Sequence, residues 1–115
     1  MARANADLTT ASYGMEQPLD GIYYQIYFSS ADEESGKLEG LFRDAGRPAD
    51  AGTALKSAYF KFQPAPSKGI TLTFSAGDVQ FELSSTETPY NTLSGTLFRA
   101  GKNLGAFTFS KVRPR

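Results

Sequence analysis

Any catalysis in this chain has to come from carboxylates. Its 115 residues include no histidine and no cysteine. That removes the commonest general base, the commonest metal ligand and the thiolate nucleophile together, and it leaves a zinc centre without its preferred donors. Glu39 and Glu82 fall inside stretches of alternating polarity, on their outward side. Paired across a sheet they would suit glycoside hydrolysis. Enzymic carboxylate pairs, however, sit in clefts that shift their pKa values, so ordinary solvent-facing strand glutamates are the preferred reading. Asp32-Glu33-Glu34 lacks the alternating Asp/Asn ligands of a calcium loop and runs into Ser35-Gly36, which makes it a solvated turn. Serine is plentiful, but no Ser-His-Asp triad can be built, and neither Ser-x-x-Lys nor a phosphate-cradling glycine loop occurs. The expectation is a protein that is not an enzyme and has no metal or cofactor.

The remaining chemistry is that of surfaces. Alternation puts Tyr23, Tyr27, Leu41, Tyr59 and Phe98 on the face opposite the core. Tyrosine joins apolar area to a hydroxyl, which suits protein interfaces and sugar stacking. These five are the candidate binding residues. The absence of tryptophan weighs against a lectin.

Strands have to position those side chains. Ile22, Tyr24, Ile26 and Phe28 alternate with polar or tyrosyl neighbours over Gly21–Ser30, the period of a half-buried strand. Further strands are expected near 37–43, 54–63, 70–75, 79–83, 92–99 and 103–112. Their inward sets include Ala58/Phe60/Phe62, Ile70/Leu72/Phe74, Val79/Phe81/Leu83 and Phe107/Phe109. Gly77-Asp78 is a two-residue hairpin turn, and Pro64 and Pro66 end a strand because proline cannot donate to a ladder.

A recurring unit stands out. Leu38, Gly40 and Phe42 precede Ala45-Gly46, and Leu93, Gly95 and Leu97 precede Ala100-Gly101. The ungapped match keeps all three residues on one face, which points to a shared hairpin grammar more than to duplication. Mid-strand Gly40 and Gly95 mark a bulge, a bend or a close backbone approach.

The fold class is therefore all-β. It is an antiparallel sandwich or flattened small barrel of about seven or eight strands, mostly a meander. Residues 1–20 lack periodicity and read as an extended N-terminal arm, with 21–115 as a single β domain. Ala4-Asn5-Ala6 has the small-x-small look of a signal cleavage site, but no apolar stretch precedes it.

Residues 1–55 hold nine acidic and four basic side chains, a net −5; residues 56–115 hold three acidic and eight basic, a net +5. An interleaved β domain would mix the two halves in space. The plain reading is chance and solvated strand faces; the sharper one is head-to-tail association between copies. Overall neutrality argues against a nucleic-acid binder, which would need a basic surface, and no apolar run is long enough for a membrane-spanning helix.

The functional expectation is a non-enzymatic protein–protein association module. It would be an accessory or structural subunit of a larger assembly, such as a virion decoration or tail component or a secreted adhesion domain. Its partner would be another protein or a second copy, reached in part through residues 1–20. The alternative is a β-barrel or sandwich that binds a glycan or a small apolar ligand.

Overall fold

The computed structural model describes residues 4–9, 11–46, 52–64, 69–86 and 90–112. Residues 1–3, 10, 47–51, 65–68, 87–89 and 113–115 lie outside the described residues. The elements are α1 (Ala4–Thr9), β1 (Ser12–Met15), β2 (Tyr24–Ala31), β3 (Leu38–Asp44), β4 (Thr53–Ala54), β5 (Lys56–Phe62), β6 (Ile70–Ala76), β7 (Val79–Ser85), β8 (Thr92–Arg99) and β9 (Lys102–Val112). All nine strands join one antiparallel sheet in the order β4-β3-β2-β1-β9-β8-β7-β6-β5. The sheet curls into a nearly closed barrel, an up-and-down meander whose first and last long segments meet at β1 and β9.

The two ends of the sheet almost zip together. Leu55 N–H donates to the Gly40 carbonyl at 3.0 Å, and Phe60 N–H to the Gly36 carbonyl at 2.7 Å. Lys37 and Tyr59 form a bridge. Between these contacts β4 and β5 kink at Ser57, whose φ of 50° is unusual for a residue with a side chain, and the β5–β6 register shifts between Lys56 and Tyr59. The seam is therefore closed at both ends and interrupted in its middle.

Inside, the alternating apolar residues meet as expected. Phe74 and Phe81 stack at 4.6 Å; Phe81 meets Phe42 at 5.0 Å, and Phe28 meets Phe74 at 5.9 Å. Leu72, Leu83, Leu93, Ile26 and Ile70 are fully buried around them. Each such side chain contributes roughly 1.5–3 kcal/mol on leaving water, so this ring cluster is the main force holding the strands in one layer.

The N-terminal stretch departs from the expected extended arm. β1 lies inside the sheet, with Tyr13 opposite Ile26 on one side and Lys111 on the other. Leu8, Tyr13, Met15 and Leu19 are all buried, and α1 packs on β2. The Tyr13 hydroxyl donates to the Tyr90 carbonyl at 2.5 Å. What is described of residues 1–20 completes its own barrel.

The two charge-biased halves also fail to mix. Strands β4 to β1 form one side of the sheet and β9 to β5 the other, so the described residues of the acid-rich and base-rich halves lie side by side.

The recurring unit has a structural meaning. In the β2–β3 hairpin, Tyr24 pairs with Asp44, Ile26 with Phe42 and Phe28 with Gly40. In the β7–β8 hairpin, Val79 pairs with Arg99, Phe81 with Leu97 and Leu83 with Gly95. The register is the same. A Cβ on Gly95 would overlap the Glu82 carbonyl oxygen and lie 3.0 Å from Leu83 Cα; one on Gly40 would overlap the Tyr27 carbonyl oxygen and lie 3.1 Å from Phe28 Cα. Both glycines let neighbouring backbones approach more closely than a β-carbon would allow. The turns that follow differ. Ala100 and Gly101 both have positive φ (51° and 78°), as a type I′ hairpin turn requires, whereas the Asp44 carboxylate accepts from Gly46 N–H at 2.8 Å on the way into a longer loop.

Three outcomes follow. Gly40→Ala and Gly95→Ala place a methyl group against backbone that cannot yield, so each should cost at least the ~1–3 kcal/mol typical of overpacking in urea titrations. Ala100→Asn relieves a left-handed alanine and should stabilise by about 0.5–1 kcal/mol, raising Tm by a few degrees. Burial, aided by the Asp7 carboxylate, raises the Tyr13 phenol pKa well above its usual 10.0. The folded state therefore favours neutral Tyr13. Its contribution is intact below pH 10 and is lost as pH rises beyond it. Unfolding titrations at rising alkaline pH should show that loss, and Tyr13→Phe should lessen it while costing about 1 kcal/mol at neutral pH for the missing hydrogen bond.

Candidate functional site

Because Ile26 and Phe28 point into the barrel, Tyr27 must point out. It stands directly opposite Leu41 on β3, and Leu41 stands opposite Ala54 on β4. An apolar row therefore crosses three strands on the outer surface. Tyr27 is 44% exposed and Leu41 38%, high values for large apolar side chains held at the centre of a ladder. Leu55, half-buried against the core, adds a floor. Together with Ser29, Glu39 and Gly40 these residues line a cleft of about 300 Å³, beside the Leu55–Gly40 hydrogen bond.

Tyr23 and Tyr59 flank the row. Tyr23 lies just before β2, two positions from Gln25 on the same outward side, and Tyr59 faces Lys37 across the seam; both are about half exposed. Phe98 does not join them. It sits on β8 opposite Gln80 and Asn103, with β1 and β9 between its strand and β2, and it is half-buried. Strand parity predicts the side of the sheet but not the position around the barrel.

The carboxylates fall apart in the same way. Glu39 is on β3 and Glu82 on β7, with four strands between them, so the two cannot flank one bond. Asp32 is taken up locally. Its carboxylate accepts from the Glu34 N–H at 2.9 Å and the Ser35 N–H at 3.4 Å, and these bonds hold its pKa below the usual carboxylate range. It builds the β2–β3 turn.

A second cleft, of about 190 Å³, opens at the end of the barrel where β2 begins and β8 ends. Arg99 Nη1 meets the Asp20 carboxylate at 2.8 Å, and Arg99 Nε lies 3.4 Å from Asp78. Asp20 and Gly21 both have positive φ (53° and 79°), and Leu19 and Ile22 exchange backbone hydrogen bonds across them at 2.9 and 3.0 Å. This is a type I′ turn. Asp-Gly between Leu19 and Ile22 is a strong local signal for it, and that signal could have located the turn from sequence. The Arg99 contact had no such signal.

Comparisons of the chain with protein-family models, with curated proteins and with solved structures find no match.

Proposed function

We propose that this chain is a non-enzymatic association module that binds a protein partner through the outer face of β2, β3 and β4. The observation that carries this reading is the exposed row Tyr27–Leu41–Ala54. Interface centres are enriched in aromatic residues, with tyrosine prominent among the side chains that dominate binding energy. A cleft floored by Leu55 gives an incoming side chain a pocket, and the closed barrel behind it keeps the row preorganised, which lowers the entropic cost of binding. The ring-filled interior supports placing recognition outside the barrel.

The partner favoured by charge is a second copy. The row lies on the acid-rich half of the sheet, and β5 to β9 carry Lys56, Lys61, Lys102 and Lys111. Contact between unlike halves is heterologous and propagates into rings or chains. A glycan is the second reading, supported by the tyrosine ring, hydroxyl and carboxylate of Tyr27, Ser29 and Glu39 around one cleft.

Sedimentation of the full chain tests this. Concentration-dependent association is expected at about 20 mM salt and should weaken strongly at about 500 mM, where screening acts over a few Å. Leu41→Ser and Tyr27→Ser should abolish it with little change in Tm, since both side chains are exposed. Association that is indifferent to these substitutions contradicts the proposal. If the chain stays monomeric throughout, a photo-crosslinker at position 27 should capture one defined protein that the same group at position 80 does not. Identical products from both positions would refute the protein-binding reading, and saturable binding on a glycan array would favour the second one.

A further inference from the structure

We propose that α1 is a releasable latch on the closed end of the barrel, and that a buried hydroxyl left without a partner, that of Tyr90, keeps it easy to release. Tyr90 precedes β8 at the end opposite the open mouth, and α1 packs on β2. Leu8 and Tyr90 are both fully shielded from solvent. The Tyr90 hydroxyl is shielded too, and it has no hydrogen-bond partner among the described residues. Its neighbours point to α1 as the cover. Burial raises the Tyr90 phenol pKa, and the carboxylates of Asp7 on α1 and Glu33 in the β2–β3 turn raise it further. Asp7 acts on Tyr13 and Lys111 as well, so α1 sits close to all three side chains.

The hydroxyl cannot reach an acceptor by moving its own backbone. The Tyr90 carbonyl accepts from the Tyr13 hydroxyl, and the next carbonyl, of Asn91, accepts from the Lys111 N–H at 2.9 Å. Tyr90 is held between them at a φ of 60°, left-handed and costly for a residue with a side chain. A buried donor that makes no bond has lost its hydration and gained nothing in return. What holds α1 down is of the same order. The helix has six residues, too few to persist on its own, so tertiary contacts fix it. Leu8 is its fully buried anchor among the described side chains. Burial of one leucine and desolvation of one hydroxyl are comparable free energies of opposite sign. Lifting α1 returns water to Tyr90 and leaves the sheet intact, since β1 pairs with β2 and β9 by its own ladder. The latch therefore opens below the free energy of global unfolding and bares the apolar seat of Leu8. It does not depend on the Tyr27–Leu41 row.

The chain has no cysteine, so Leu8→Cys places a single thiol under α1. Its rate of reaction with excess N-ethylmaleimide in native buffer, set against that of an exposed thiol, gives the opening constant at position 8. Hydrogen exchange of the Leu83 amide in the same protein gives the constant for global unfolding. The opening constant at position 8 should exceed the global one by about 100-fold or more. Adding Tyr90→Phe should lower the position-8 constant at least about fivefold, the reverse of the usual loss when a buried tyrosine hydroxyl is removed. Both proteins carry Leu8→Cys, so its own effect cancels. Equal constants at position 8 and the Leu83 amide, an unchanged or raised constant at position 8 on adding Tyr90→Phe, or a decrease confined to the Leu83 amide would each overturn the proposal.

Discussion

Two backbone contacts decide whether this sheet can close. At Phe28–Gly40 and Leu83–Gly95 the strands coil so tightly that a single β-carbon on the glycine would occupy its neighbour's carbonyl oxygen. Coiling at those points turns the Ile26–Phe42 and Phe81–Leu97 pairs inward, and the ring cluster around Phe74 and Phe81 fills the space they enclose. Hydrophobic burial supplies the driving force, but it is non-directional. The two mid-strand glycines let neighbouring strands approach where any β-carbon would stand in the way.

The interior is occupied by rings, which supports placing the proposed binding row on the outer surface. The seam is where the ladder is least complete: Ser57 bends the start of β5, and the described backbone bonds across it stand at Leu55–Gly40 and Phe60–Gly36. The apolar row of Tyr27, Leu41 and Ala54 lies at the Leu55–Gly40 end of that seam. The mouth is held by a different device, in which Arg99 at the end of β8 anchors the turn that brings Leu19 over the barrel.

How much of this could be read from sequence follows from the range of the interactions. Strands such as Ile70–Ala76 and Val79–Ser85 alternate cleanly and are joined by a two-residue turn, so local pattern alone defines them. The glycine contacts were visible as mid-strand glycines in matched hairpins. β1 was not visible. It has only four residues, one of them Gly14, and its partners in β2 and β9 include residues far along the chain, so no local period announces it. The outward tyrosines were identified by parity. Their assembly was not, because the position of β8 around the barrel, which separates Phe98 from Tyr27, depends on β1 pairing with β9. The Arg99–Asp20 ion pair spans 79 positions and leaves no trace in either neighbourhood.

The barrel is expected to behave as a rigid scaffold with a softer seam near the proposed binding row. Native-state hydrogen exchange tests that division most directly. The amides of Leu83 and Gly95, inside the continuous β6–β9 ladder, should exchange only through global unfolding, while those of Leu55 and Phe60 at the seam should exchange through smaller local openings whose free energy falls clearly below the global value. Equal protection at all four positions, or local opening at Gly95 with full protection at the seam, would contradict it.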